Sequence, residues 1–331
     1  MISFIICSHK APSELFDCLA TVAQQTHDVA WEVIVVNNGF SPDAERKIEK
    51  FAEEHGIRER LKLVREAAPG LGFARVRGFR GAAGAWLVLL DDDNTIAPDF
   101  CRQLKVILTE HPTLGGITPL VSPVWERKPP AWLVDYGVQC LSYNEPELCR
   151  RFPGERFFPA EEFAAAPRPP GGGMVIHQSV AAAYLESASN PARLALARTG
   201  NSLMGCEDHD IWGGLSELHF DVLVTDRLKV CHHISAQRLR MNYLLRLCYG
   251  MEYSYTILRR MQGTPARGSG AAETGKTLLT MLRLVKIGLT EPSAPFARQL
   301  LYVAREAGRY AAERKQIQPE KPFAQTLQDS N

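Results

Sequence analysis

The 331-residue sequence predicts an α/β protein: a mostly parallel, three-layer sheet followed by a helical extension. Three observations lead there. Short apolar runs alternate with helix-length amphipathic segments through the first 121 residues, the rhythm of β-α-β units. The run Ala85-Trp86-Leu87-Val88-Leu89-Leu90 ends directly in Asp91-Asp92-Asp93, which puts three carboxylates at the end of a buried strand. Charge also divides unevenly. Residues 236–331 hold 15 Lys and Arg against 7 Asp and Glu, whereas the first 235 hold 23 against 30. The break suggests two modules, 1–235 and 236–331.

The elements follow in order. Residues 2–7 form a first strand. Pro12 and Ser13 open a helix with Leu15, Cys18, Leu19 and Val22 at helical spacing. Residues 31–36 are a second strand ending at Asn37-Asn38-Gly39. Ser41-Pro42 supplies an N-cap and a first-turn proline for a helix through Glu54. A short strand covers 61–64. Pro69-Gly70 breaks the chain before a Gly/Ala/Arg-rich helix over 73–83, and residues 85–90 feed the aspartates. Pro98 starts another helix, and 115–121 is a further strand. Residues 122–173 then turn irregular and rich in proline and aromatics, ending in Gly171-Gly172-Gly173. An insertion of that length is usually a functional loop system. Residues 174–177, 220–224 and 228–231 read as strands, and Glu207 opens a short helix. From Ala236 to about Arg314 the pattern is helical.

With 45% apolar and 23% charged residues the chain can bury a core. Its eight cysteines have no regular spacing, and Cys7, Cys101 and Cys248 sit in apolar segments as small buried residues do. The first eight residues lack a basic leader, and no stretch reaches the roughly 18 apolar residues of a membrane span. These features lead us to expect a reduced, cytoplasmic, soluble protein. Nucleic acid is not among the expected partners. The stripe Leu278, Leu282, Val285, Leu289, beside Lys276, Arg283 and Lys286, could meet an anionic membrane on the inner face of the plasma membrane. It could equally pack on the catalytic domain, or on a second subunit in a homodimer.

Several clusters carry chemistry. Three adjacent carboxylates repel unless a cation sits among them, and Mg²⁺ or Mn²⁺ prefers such hard oxygen ligands. The carboxyl end of a sheet is also where open α/β folds bind ligands. A surface turn capping the next helix is the ordinary alternative. Glu207-Asp208-His209-Asp210 offers carboxylates that could act as a base or simply favour a helix N-terminus. Cys206, His209, Cys231 and His232 could be a zinc set but lack the usual ligand spacing. Residues 270–277 match the phosphate-loop pattern GxxxxGK[ST]. What precedes them is a helix end and a linker, not the strand that such a loop needs, so we read the match as chance.

Four segments in order resemble family 2 glycosyltransferases, which have the GT-A fold and use nucleotide-sugar donors. They are Ser3-Phe4-Ile5-Ile6-Cys7-Ser8-His9, Glu32-Val33-Ile34-Val35-Val36-Asn37-Asn38-Gly39, Pro69-Gly70-Leu71-Gly72-Phe73-Ala74-Arg75 leading to the DXD-type Asp91-Asp92-Asp93-Asn94, and Gly205-Cys206-Glu207-Asp208-His209-Asp210. The likeness covers about residues 1–235. It implies donor binding by Ser8, Asn37, Arg75, Asp91 and Asp92, and direct metal ligation by Asp93, with Asp92 on sugar, ribose or metal-bound water. His232 or His233 would complete the metal shell. Asp208 would be the base for an inverting transfer to a hydroxyl acceptor, with Glu207 orienting acceptor or helix. Apart from the likeness, Gly172 and Gly173 could let backbone approach a sugar or form a plain turn, and Trp132 belongs to the aromatics that could stack on an acceptor such as a glycan or lipid-linked sugar in surface glycan biosynthesis or pack a small local core.

Departures matter. Asn37 stands where the family commonly has aspartate; its amide oxygen can accept a base N–H, as uridine recognition needs, but its NH₂ can also donate, and Val76 replaces an asparagine. The carboxyl-terminal third lacks the QxxRW sequence of processive synthases, which implies one sugar per transfer. A sugar nucleotidyltransferase would need a Gly-rich basic loop after strand one, where this chain has Ser8-His9-Lys10-Ala11-Pro12. A non-catalytic nucleotide-sugar-binding scaffold is the other alternative, against which the intact acidic segments weigh.

Overall fold

The computed structural model describes residues 1–11, 13–25, 28–137, 140–188, 190–265 and 294–317. The phosphate-loop match and the whole of the stripe proposed for a membrane or a partner lie outside the described residues.

The amino-terminal half is built as the alternation predicts. Strands β1 (Ile2–Ser8), β2 (Trp31–Asn37), β3 (Leu61–Arg65) and β4 (Trp86–Asp91) pair in parallel in the order β3-β2-β1-β4. Successive side chains of a strand point to opposite faces. Phe4, Ile6, Val33, Val35, Val88 and Leu90 therefore enter one buried cluster, while Ile5, Ile34, Val36, Leu87 and Leu89 enter another. Helices α1 (Ser13–Ala23), α2 (Pro42–Glu54) and, farther along the chain, α4 (Phe100–Glu110) cover the first face; α3 (Leu71–Gly81) covers the second. Burial on both faces explains why these strands are nearly continuous apolar runs. Ser41 caps α2 by accepting the Ala44 N–H at 3.3 Å, with Pro42 behind it, as the sequence indicates.

The other half of the sheet is mixed. Strand β8 (Val175–His177) runs antiparallel between β4 and β6 (Leu114–Trp125), and β6 pairs in parallel with β9 (Asp221–Ile234). Two short strands, β5 (Asn94–Ile96) and β7 (Glu155–Phe158), add antiparallel to β9. Two expected strands prove to be one: Pro119 pairs with Thr225 and Leu120 with Lys229, so residues 226–228 bulge from an otherwise continuous β9. Strand β5 is three residues long, too short to show a period. The insertion is also more ordered than its composition suggests. It contains the end of β6, helices α5 (Ala131–Gly137) and α6 (Glu145–Arg151), and β7.

Helices α7 (Gln178–Ser187), α8 (Pro191–Leu194) and α9 (Glu207–Glu217) follow. A buried ion pair fastens α9 to α8: the Arg193 Nε donates to Asp210 Oδ2 at 2.6 Å and its Nη2 donates to Oδ1. The carboxyl-terminal helices α10 (Met241–Met261) and α11 (Ala294–Glu313) pack on each other so closely that a side chain at Gly308 would strike the Tyr249 carbonyl. Leu244, Leu247, Cys248 and Leu301 join the same core as β1 and β2. None of the described helices is long and apolar enough to cross a membrane.

Removing one partner of a buried ion pair leaves the other charge uncompensated. Arg193→Ala is expected to cost about 3–5 kcal/mol in urea unfolding, and a loss below about 1 kcal/mol would show that the pair does not hold α9.

Candidate active site

Parallel strands β1, β2 and β4 end together, so Ser8, Asn37 and Asp91 come into register: Ser8 pairs with Asn37, and Cys7 with Asp91. Beyond those ends opens a cleft of about 470 Å³. Ser8, Asn38, Arg75, the three aspartates, Gly171, Arg198, Glu207, Asp208 and Arg238 line it.

The three carboxylates fan out to different partners. Asp91 lies 3.5 Å from Arg75 Nη2, and its backbone N–H donates to the buried Asn94 Oδ1 at 2.9 Å. Asp92 accepts the Ser8 hydroxyl at 2.6 Å. Asp93 Oδ2 accepts from Arg238 Nη2 at 2.6 Å and lies 3.5 Å from His232 Nε2. Their electrostatics diverge accordingly. Burial, with Asp93 and Asp91 alongside, pushes the Asp92 carboxyl up to about 7 despite the Ser8 bond. Burial acts the same way on Asp93, but the contact with His232 and, after it, the positive charges of Arg238 and Arg198 outweigh it and hold that carboxyl below the usual range. Asp93 Oδ1 is buried and has no hydrogen-bond partner among the described residues.

Across the cleft, Glu207 and Asp208 open α9, where acidic side chains complement the helix dipole. Arg75 is 3% exposed and stands between the two acidic groups, 3.8 Å from Glu207 Oε1. Burial raises the Glu207 carboxyl, and Arg75 opposes that shift. Glu207 Oε2 and Arg75 Nη1 are likewise buried without partners among the described residues. Asp208 Oδ1 accepts the His209 N–H at 2.8 Å. The glycine run threads between these groups. A Cβ at Gly171 would lie 3.1 Å from Arg75 Nη2 and 3.4 Å from Asp208 Oδ2, and one at Gly172 would strike Asn94 Oδ1 and come within 2.8 Å of Asp91 Oδ2. Only glycine leaves that floor open.

Several expected residues lie elsewhere. Asn37 is at a strand end beside the cleft, but its amide is spent on the turn. Oδ1 accepts the Gly39 and Phe40 N–H groups at 2.9 and 2.8 Å, and Nδ2 donates to the Phe40 carbonyl at 3.1 Å and to Glu45 Oε1 at 2.7 Å. It is a structural knot, with no capacity left for a base. His233 points to Thr95, 3.2 Å from its hydroxyl, so His232 is the histidine beside Asp93. Trp132 packs against Tyr136 with its carbonyl accepting from Arg298, away from the cleft. Gly172 lies beneath the aspartates and Gly173 between Val121 and Val230, so Gly171 is the glycine at the cleft wall. The zinc set does not assemble. Among the described residues the one metal-sized grouping is Glu110, His111 and Glu155, which Arg227 already pairs at 2.6 and 3.5 Å.

Two cleft cations escape a sequence reading. Arg238 lies in a 3-10 turn (Ala236–Leu239) just past β9, in what looks like the start of a separate helical module. Its spacing of six from His232, directly after a strand, is the only signal. Arg198 lies in the loop between α8 and α9, where no pattern singles it out.

Residues 3–165 match the family model described as Glycosyl transferase family 2. EpsH of Bacillus subtilis (strain 168) is 33% identical over 104 residues, 31% of this chain and 29% of the relative. A Haemophilus influenzae relative is 28% identical over 118 residues, 35% of this chain and 37% of its own. Both have glycosyltransferase in their names, and the matching stretch spans only about a third of each. The crystal structure of S. aureus TarS 1-349 in complex with UDP aligns at a TM-score of 0.50 and 12% identity, over 100% of this chain and 92% of that one. That likeness establishes the fold.

Two outcomes follow from the site's electrostatics. Asn37→Asp sets a second carboxylate against Glu45 and removes two donated hydrogen bonds, so it should cost about 1–3 kcal/mol in urea unfolding at neutral pH. Asp92 binds its proton more tightly when folded than when unfolded, so its contribution to stability is lost as pH rises from the ordinary carboxylate value through about 7. Metal-free Asp92→Asn should therefore melt about 2–4 °C above the parent at about pH 8 and show no such gain at about pH 4.

Proposed function

Because the chain belongs to glycosyl transferase family 2 through residues 3–165, we propose that it moves one sugar at a time from a nucleotide-diphosphate sugar to a hydroxyl acceptor with inversion. The observation that carries this is the cleft's two-sided arrangement. Asp91, Asp92 and Asp93 stand on one wall and Asp208 on the other, with Arg75 and the bare Gly171 backbone between them. A sugar lying on that floor would have its diphosphate toward the aspartates and its opposite face toward Asp208.

In-line displacement forms a bond from the acceptor oxygen to the anomeric carbon and breaks the bond to the diphosphate. The acceptor proton goes to Asp208, which faces the cleft. Glu207, held beside Arg75, keeps that guanidinium aimed into the cleft. Negative charge builds on the departing diphosphate, and Arg75, Arg198 and Arg238 are the cations on hand to meet it. The residues also fit a divalent metal, since Asp93 Oδ1 is a buried hard oxygen without a partner among the described residues, and the other oxygen of that carboxylate, Oδ2, lies beside the His232 imidazole. Bound Mn²⁺ or Mg²⁺ would act as a Lewis acid on the leaving phosphates. UDP is the first nucleotide to try, since the TarS fold relative was crystallised with it. The acceptor class we favour is a glycan or lipid-linked sugar in surface glycan biosynthesis, with peripheral membrane contact as one setting for the latter.

A thermal-shift screen of nucleoside diphosphates with and without Mn²⁺ tests the donor half, and stabilisation by none of them would refute it. Asp93→Asn should lose the Mn²⁺-dependent part of that stabilisation. Asp208→Asn should bind donor normally while transfer falls about 10²–10⁴-fold, and near-parental turnover would remove it as the base.

A further inference from the structure

We propose that Arg238 is a resident counter-cation that a divalent metal and a diphosphate displace together, so that the metal is admitted with the nucleotide rather than ahead of it. This rests on the metal-assisted transfer proposed above.

Arg238 is held at two points. Its Nη2 donates to Asp93 Oδ2 at 2.6 Å, and its Nη1 lies 2.8 Å from His232 Nε2. A guanidinium can only donate, so Nε2 must be the acceptor. The ring proton then sits on Nδ1, which donates to the Ser142 carbonyl at 3.1 Å. In this arrangement the Nε2 lone pair is turned toward Arg238.

A carboxylate oxygen and an imidazole nitrogen, side by side at a cleft wall, are metal-binding atoms. Here the guanidinium covers both. A metal ion cannot take Nε2 while Arg238 donates to it, and two cations sharing Asp93 Oδ2 would repel. Moving Arg238 alone is costly, because its side chain is only 23% exposed and would leave a buried acidic group behind. An incoming diphosphate changes the balance. It brings several negative charges into the cleft that Arg238 already lines, and so offers the guanidinium new acceptors within reach. Metal and diphosphate each ease the other's entry, and thermodynamic reciprocity requires the coupling to run both ways. Until then, Arg238 neutralises one of three consecutive aspartates, which keeps the empty cleft stable.

Mn²⁺ binding followed by electron paramagnetic resonance of the free ion tests this on the full chain, with and without UDP. Arg238→Ala should bind Mn²⁺ alone at least about tenfold more tightly than the parent. The Arg238→Ala/Asp93→Asn double variant should lose that gain, and UDP should improve the parent's Mn²⁺ affinity more than the variant's. A merely structural role for Arg238 would weaken Mn²⁺ binding rather than tighten it. Should Arg238→Ala fail to fold, Arg238→Gln keeps a donor toward Asp93 without the charge, and the same gain is expected of it. Parental UDP-dependent Mn²⁺ binding with no gain in either variant overturns the displacement alone. Absence of Mn²⁺ binding in every protein, with UDP or without, overturns the metal reading and this inference with it.

Discussion

Three aspartates on consecutive residues cannot share one cleft wall unless each is given its own donor. That requirement organises the site. Asp91 is met by Arg75 from α3, Asp92 by Ser8 from the end of β1, and Asp93 by Arg238 from beyond β9. The three donors come from segments up to 230 residues apart in the chain. They meet because β1 and β4 pair in parallel with their ends in register, and because β5, directly after the aspartates, pairs antiparallel with the end of β9. The Asp93 carbonyl closes the same junction by accepting the His233 N–H at 2.9 Å.

The scaffold around that junction is rigid where the chemistry needs aim. Both sheet faces are buried by helices, which fixes the heights of β1 and β4 relative to each other. The buried Arg193–Asp210 pair anchors the first turn of α9, and with it the direction of Glu207 and Asp208. Bare backbone at Gly171 and Gly172 lets Asp91, Arg75 and Asp208 come close to the chain between the two walls. The carboxyl-terminal helices are part of the same body rather than an appendage. Leu244, Leu247 and Leu301 belong to the same buried cluster as the residues on one face of β1 and β2, and the turn leading into α10 supplies Arg238.

Much of this is legible without coordinates, for identifiable reasons. Strands β1, β2 and β4 are apolar runs bounded by turn chemistry, and α2 begins at a serine and a proline that can hardly do anything else. Asp91–Asp93 and Glu207-Asp208 are conspicuous because acidic clusters at element ends are costly unless used. Asn37 shows the limit. Its type and its place at a strand end suggest ligand binding, yet Glu45 and the tight turn at Gly39 consume its whole amide. Trp132 shows it again, since an aromatic in a long insertion serves a local packing contact as readily as a sugar.

The sequence by itself determined the parallel amino-terminal half of the sheet, the cleft at its strand ends and the acidic groups on either side, because these follow from local periodicity, turn chemistry and charge density. Only the tertiary structure decided which cations answer those groups, which histidine faces Asp93, and that the start of the helical tail belongs to the site. Arg198 carries no local signature and Arg238 only its short spacing from His232, for an arginine in a loop looks the same whether it ends in water or beside a buried carboxylate. Its role is set by what distant strands bring next to it, and pairing across the sheet is not written in any short window of residues.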